Sequence, residues 1–237
     1  MERGRRRFIL GHLGNTLEAL DLVRASGVDG VEFDVRRCED GALVLHHDAV
    51  IEGLGAITRL SRDRLPASLP LLEDALETCE GLIVNIEVKN LPIDPDTDPT
   101  EQLAMDVANM VTGRGLEESV IVSSFTRSAL DAVRACNRRI RTGQLTLRSW
   151  NQIALLEEAS AKGHSALHPH RKGVTPGLVD LAHSRQMWIV PWAVDTAEDI
   201  VGATAEGVDG LITDDPELAV TLLGRGSGPG APLGSQT

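Results

Sequence analysis

The stretch GVEFDV, residues 30–35, decides the fold. Along it Glu32 and Asp34 fall on one face and Val31, Phe33 and Val35 on the other, the two-residue period of an extended strand. Residues 82–89, LIVNIEVK, repeat the arrangement, with Val84, Ile86 and Val88 facing one way and Asn85, Glu87 and Lys89 the other. In a parallel barrel the apolar set lies beneath the helices. The polar set then points into the barrel, near the C-terminal end where this architecture builds its active sites.

Working outward, the same kind of short apolar run recurs at 7–12 (RFILGH), 119–125 (SVIVSSF), 140–146 (IRTGQLT), 165–168 (SALH), 187–194 (MWIVPWAV) and 210–214 (GLITD), which makes eight strands. Segments of helical period lie between them, near 16–26, 71–79, 99–112, 127–136, 150–162, 176–185, 197–206 and 216–223. Strand followed by helix, eight times over, predicts a single α/β domain, a distorted (β/α)8 TIM barrel spanning 1–225. Asn15 with Glu18 three residues on reads as a capping box, and Asp195 before TAEDIVGAT reads as a cap of the same kind. The run ALVLHHD, 42–48, exceeds the strict count and is expected to form a short extra hairpin over the barrel mouth after the second strand. The Gly/Pro/Ser-rich end, 226–237, has nothing to bury and reads as a flexible tail.

Composition narrows the function. A chain of 237 residues with 42% hydrophobic residues can bury one large core. Its net charge of -12 argues against a nucleic-acid partner, which calls for a basic face. Cys38, Cys79 and Cys136 are odd in number and far apart, so ordinary reduced thiols are expected. No apolar run approaches the length of a membrane span, and the apolar FIL of the first segment is too short for a signal peptide. The reading is a cytoplasmic monomer, with a small homo-oligomer as the alternative.

Glu32, Asp34 and Glu87 thus converge with Lys89 inside the barrel. Three buried carboxylates repel one another and each is costly to desolvate, so the cluster requires compensating positive charge. Two readings follow: a divalent cation of the hard, oxygen-loving kind, or an ion-pair network in which Lys89 and Arg36 neutralise the acids. His12 ends the first strand, and His46-His47-Asp48 ends the extra hairpin, so imidazoles can reach the same mouth. Histidine titrates near neutrality, and a pair of them can divide acid and base roles. A cation plus two histidines points to cleavage of a small-molecule phosphodiester.

At these residues the sequence resembles the glycerophosphodiester phosphodiesterase family. GHLGNTLEAL, GVDGVEFDVRRCEDGALVLHHD, LPLLEDAL, IVNIEVK, VIVSSF, PWAVD and GVDGLITDDPE carry the likeness in order. The resemblance implies a barrel enzyme that uses one divalent cation, Mg2+ or Ca2+, to hydrolyse glycerophosphodiesters to glycerol 3-phosphate and an alcohol. It implies Glu32, Asp34 and Glu87 as metal ligands, His12 and His47 as the catalytic pair, Lys89 on the phosphate and Trp192 in the substrate pocket. His46 stands one place before the family's His-Asp pair, which selects His47. The chain departs where the family has arginine after the first histidine; here stands Leu13, with a shortened loop. That loop is similar to the sphingomyelinase D branch, so a lyase forming a cyclic phosphate and a non-catalytic diester-binding barrel are the alternatives.

Other polar residues have plainer expectations. His164, His168 and His170 lack carboxylate or cysteine partners at metal-site spacing. His168, His170, Arg171 or Lys172 is expected to support the mouth, the two cations partly replacing the missing arginine. His183 is read as solvent-facing, and Trp188 as core. Small neighbours around His12 are expected to let a phosphate approach the backbone.

Overall fold

The computed structural model describes residues 7–95 and 97–224; the tail at 226–237 lies outside them. Eight parallel strands form the barrel: β1 (Phe8–Gly11), β2 (Gly30–Arg37), β6 (Ile83–Val88), β7 (Val120–Ser124), β8 (Arg141–Thr146), β9 (Ala166–Pro169), β10 (Trp188–Ile189) and β11 (Gly210–Thr213). Hydrogen-bonded neighbours run β10-β9-β8-β7-β6-β2-β1-β11. The remaining seam closes through Asp209 N to Ile189 O at 3.0 Å, Ile212 N to Pro191 O at 2.9 Å and Val194 N to Ile212 O at 3.0 Å. Each of the eight strands is followed by a helix in the expected alternation, α1 (Leu17–Ala25), α2 (Leu72–Thr78), α3 (Gln102–Gly113), α4 (Arg127–Cys136), α5 (Gln152–Lys162), α6 (Pro176–Ser184), α7 (Ala197–Glu206) and α8 (Pro216–Leu222). The shortness of β10 follows from Pro191, which has no N–H to give a ladder.

The faces sort as the two-residue period requires. Val31, Phe33, Val35, Val84, Ile86 and Val88 join the core between sheet and helices, while Phe8, Leu10, Ile83, Ile121, Trp188 and Val190 fill the barrel interior. Phe33 and Ile86 are fully buried, each contributing about 2–3 kcal/mol of apolar transfer. The parallel register sets Glu32 beside Asn85 and Asp34 beside Glu87 on adjacent strands. Beyond Val35 the strand β2 turns back on itself. Here β3 (Leu43–Leu45) pairs antiparallel with Val35 to Arg37, which is the expected extra hairpin, and it returns the chain to the mouth at His46. A second small ladder, β4 (Val50–Ile51) with β5 (Gly55–Ala56), was not anticipated.

Two caps differ from expectation. Thr16, not Asn15, caps α1, its side chain accepting from Ala19 N at 3.1 Å. Thr196, not Asp195, caps α7 by accepting from Asp199 N, and Asp195 accepts from Asp214 N at 2.8 Å instead. Where two good capping residues are adjacent, only the one at the first turn can cap. The other is released for a different bond. Gly11 is small for packing: a β-carbon there would lie 2.7 Å from Val23 and 3.3 Å from Pro216, on the helix side. Its role is therefore to let α1 and α8 close on β1, rather than to admit a phosphate.

Cys38 and Cys79 are buried and Cys136 is exposed, all three as free thiols. Burial pushes the Cys38 thiol up to about 11 and the Cys79 thiol up to about 12. No helix among the described residues is long and apolar enough to cross a membrane.

Candidate active site and metal centre

Adjacent strands β1, β2 and β6 carry the site. One ligand oxygen each from Glu32, Asp34 and Glu87 lies within 4.8 Å of the others, and all three residues are at most 9% exposed. Lys89 Nζ sits 3.0 Å from Glu87 Oε1 and 3.4 Å from Asp34 Oδ1. His12 continues the β1 ladder by one bond, its N–H reaching Thr213 O at 2.9 Å, and this turns its Nδ1 onto the Glu32 carboxylate. Asn15, freed from capping, makes two bonds to Asp34: its Nδ2 donates to Oδ2 at 2.8 Å, and its Oδ1 accepts the Asp34 N–H at 2.9 Å. That pair fixes the orientation of a carboxylate inside the acidic cluster.

Electrostatics show how unbalanced the cluster is. Burial pushes Glu87 up to about 8, with the Asp34 and Glu32 charges adding and Lys89 opposing. Burial raises Glu32 as well, against the pull of His12. For His12, burial alone would lower the pKa, but the charges of Glu32 and Asp34 and the bonds to Glu32 outweigh it, and it stands at about 10. Lys89 is raised in the same manner, desolvation being overcome by Glu87 and Asp34. Counted as ionised, the three carboxylates exceed one lysine and one imidazolium by a charge, and this repulsion adds to the burial that raises Glu87. Three buried oxygen donors of net negative charge, with no sulfur among them, fit a hard divalent cation. The ion-pair alternative is realised by Lys89 and His12, while Arg36 donates through Nε and Nη2 to His47 O at 3.0 and 2.7 Å and pairs with Asp94.

The remaining expected residues follow the C-terminal ends of their strands. The His47 imidazole is 67% exposed, with Asp48 Oδ1 at 2.8 Å from its Nδ1. Its main chain is tied to the site, because the neighbouring His46 N–H donates to Asp34 O at 3.1 Å. Trp192 donates to His168 O at 3.0 Å and packs edge-on against Phe125 and His170, with ring centroids 5.6 and 5.2 Å apart. Phe125 in turn meets Trp150 at 6.2 Å. Half of the six aromatic residues in the chain thus form one apolar wall at the mouth, which scattered single residues did not reveal in the sequence. Leu13 is 42% exposed in the first loop.

Several expectations require correction. Arg171 bonds Glu206 at 2.8 Å and Asp199 O at 3.2 Å, and Lys172 bonds Asp199 at 3.1 Å, so neither replaces the missing arginine at the mouth. Strong carboxylate partners on α7 hold both. His183 is exposed, as expected, and its ring also pairs with the buried Asp209 at 3.0 Å. His168 is wholly buried inside the barrel rather than at the rim, its Nε2 2.5 Å from where a β-carbon on Gly143 would lie. Glycine at 143 is what makes room for that ring.

A parallel barrel whose mouth gathers buried carboxylates, a lysine and an imidazole defines a class of enzyme that holds a cation against an anionic substrate. Within that class the match is specific. The chain belongs to the glycerophosphoryl diester phosphodiesterase family, whose pattern fits residues 3–218, and is a phosphoric diester hydrolase. It is 30% identical to a glycerophosphodiester phosphodiesterase of Bacillus altitudinis over 88% of this chain and 91% of that one. It is 28% identical to another from Caldanaerobacter subterraneus subsp. tengcongensis, over 90% and 93%. An Oleispira antarctica phosphodiesterase, solved in complex with the product sn-glycerol-3-phosphate, shares the fold with a TM-score of 0.77 at 19% identity, over 92% of this chain and 96% of that one. These likenesses favour hydrolysis over the cyclising lyase and the non-catalytic barrel.

Proposed function

We propose that the protein hydrolyses glycerophosphodiesters to glycerol 3-phosphate and an alcohol, with one Mg2+ or Ca2+ ion held by Glu32, Asp34 and Glu87 and with His12 and His47 moving the protons. The observation that carries this reading is the buried acidic trio, its ligand oxygens within 4.8 Å of one another, in a chain of this family. A cation bound there would offset charge on the non-bridging oxygens of the diester.

The chain's own groups do the rest. Lys89, between Asp34 and Glu87, is close enough to the cluster to attract the phosphate. His12 and His47 each have Nδ1 against a carboxylate, Glu32 and Asp48, which leaves Nε2 of each ring for the diester. One imidazole takes a proton from the entering water while the other gives one to the departing alcohol oxygen, so that water and diester become monoester and alcohol. Asn15 keeps Asp34 oriented, and the Phe125–Trp192 wall borders the substrate and excludes water. We further expect a monomer working in the cytosol, which size-exclusion chromatography with light scattering and cell fractionation would check.

The deciding experiment offers the purified protein a panel of glycerophosphodiesters with different alcohols, with and without chelator, and assays glycerol 3-phosphate. Release that stops on chelation and returns with Mg2+ or Ca2+ supports the reading. Full activity in the stripped protein, or no turnover of any diester, overturns it.

A further inference from the structure

Arg36 is 2% exposed and stands two residues beyond Asp34 on the same face of β2, and its guanidinium reaches His47 and Asp94. Its Nε and Nη2 converge on one acceptor, the carbonyl oxygen of His47, at 3.0 and 2.7 Å, and Nη2 also donates to Asp94 Oδ2 at 3.1 Å. A rigid fork with both prongs on one carbonyl fixes the direction of that peptide as a single donor cannot. From the other side, Asp34 O takes the His46 N–H at 3.1 Å. The His46-His47 pair is therefore gripped by β2 on both flanks, its entering peptide through the His46 N–H at Asp34 and its leaving peptide through the His47 carbonyl at Arg36. The His47 ring itself is largely in solvent, so its placement depends on this backbone grip.

Asp94 supplies the opposing post. It lies in the loop between β6 and α3, and that loop is braced from within. Asn90 Nδ2 donates to Asp98 O at 2.8 Å and to Glu101 Oε2 at 2.6 Å, and Asn90 Oδ1 accepts the Asp98 N–H at 2.8 Å. Ser128 Oγ donates to Glu101 Oε1 at 2.5 Å, which helps hold Glu101 at the positive φ of 57° rarely adopted by a side-chain-bearing residue. A carboxylate on so constrained a loop can hold a guanidinium in place.

From this geometry we infer that Arg36 is a positioning residue for His47, clamping its main chain between β2 and the β6–α3 loop so that the imidazole stays at the mouth. The inference rests on the proposed proton-transfer role of His47. It assigns Arg36 no contact with the diester and no part in holding the cation. The consequence is kinetic: loosening the clamp should slow the proton-transfer step without weakening substrate binding, since a shift of about 1 Å in a catalytic group can cost about 100-fold.

The test is a double-mutant cycle. Arg36→Ala should lower kcat about 10- to 100-fold with KM changed less than about threefold, and Arg36→Lys should recover part of the loss. In the His47→Ala background, Arg36→Ala should add less than about twofold, because the residue it positions is already gone. Amide exchange across residues 46–49 should quicken in Arg36→Ala and in Asp94→Ala, while Mn2+ affinity, measured by calorimetry, holds. If Arg36→Ala fails to fold, Arg36→Lys and Asp94→Ala carry the same comparison. Losses that multiply in the double variant, or an unchanged kcat in Arg36→Ala, overturn the inference and leave the role of His47 standing. Near-normal turnover in His47→Ala alone overturns both.

Discussion

His12 and His168 are the same side chain in two parts of one barrel, and their chemistry runs in opposite directions. His12, at the mouth, has Glu32 and Asp34 beside it, and its pKa climbs to about 10 in spite of burial. His168, on β9 across the barrel, is enclosed with no charge acting on it, and burial alone pulls it down to about 3. Neither of its ring nitrogens has a hydrogen-bond partner among the described residues. Burial by itself therefore does not make a functional histidine in this fold. The β1–β2–β6 side surrounds its histidine with acids and keeps it charged, whereas the β7–β9 side encloses its histidine in packing and keeps it neutral.

The largest effect should come from breaking the acid-lined half. His12→Ala should reduce diester turnover by about 10²–10⁴-fold, whereas His168→Leu should stay within about threefold, both measured as kcat on the preferred diester. Equal losses in the two variants would erase the distinction between the halves.

A second test concerns acid stability. The unfolded chain protonates His168 near its ordinary value of 6.5, but the folded protein resists protonation down to about 3. Between those values the unfolded state holds the extra proton, so stability falls as the pH drops from 6.5 towards 3, by on the order of 5 kcal/mol at the limit. Urea unfolding across that range should show the slope, and His168→Leu should flatten it. A variant with the slope of the parent would mean that other groups dominate acid unfolding.

The smallest effect separates neighbours. Asn15→Ala should cost about 1–3 kcal/mol and weaken divalent-cation binding about 10- to 100-fold, because Asp34 loses both of its bonds to Asn15. Thr16→Ala, which removes only the α1 cap, should cost about 1 kcal/mol and leave cation affinity alone. Calorimetric titration of the two variants decides between an orienting residue and a second cap.

These contrasts also show where reading the chain succeeds. The two-residue period placed Glu32, Asp34 and Glu87 on the inner face, because facing is a local property of a strand and needs no knowledge of its neighbours. The eight helices were legible for a similar reason, each having its own apolar stripe and a turn before it. What remained hidden depends on relations across the sheet. Asn15 and Thr16 are both good caps, and only the path of the first loop shows which one is released to reach Asp34. Arg36 shares a face with the acids, but its length lets it reach His47 O. The depth of His168 depends on Gly143 in the adjacent strand, and the capture of Lys172 and Arg171 depends on α7, nearly thirty residues further on.

The cysteines allow a practical step. Cys38 and Cys79 are enclosed and held as neutral thiols, so an alkylating dye should leave them alone in the native state. Cys136 is accessible at the last turn of α4, at the end of the barrel opposite the mouth. A single fluorophore or surface tether could be attached there, orienting the molecule with its catalytic opening towards bulk solution and without any engineered thiol.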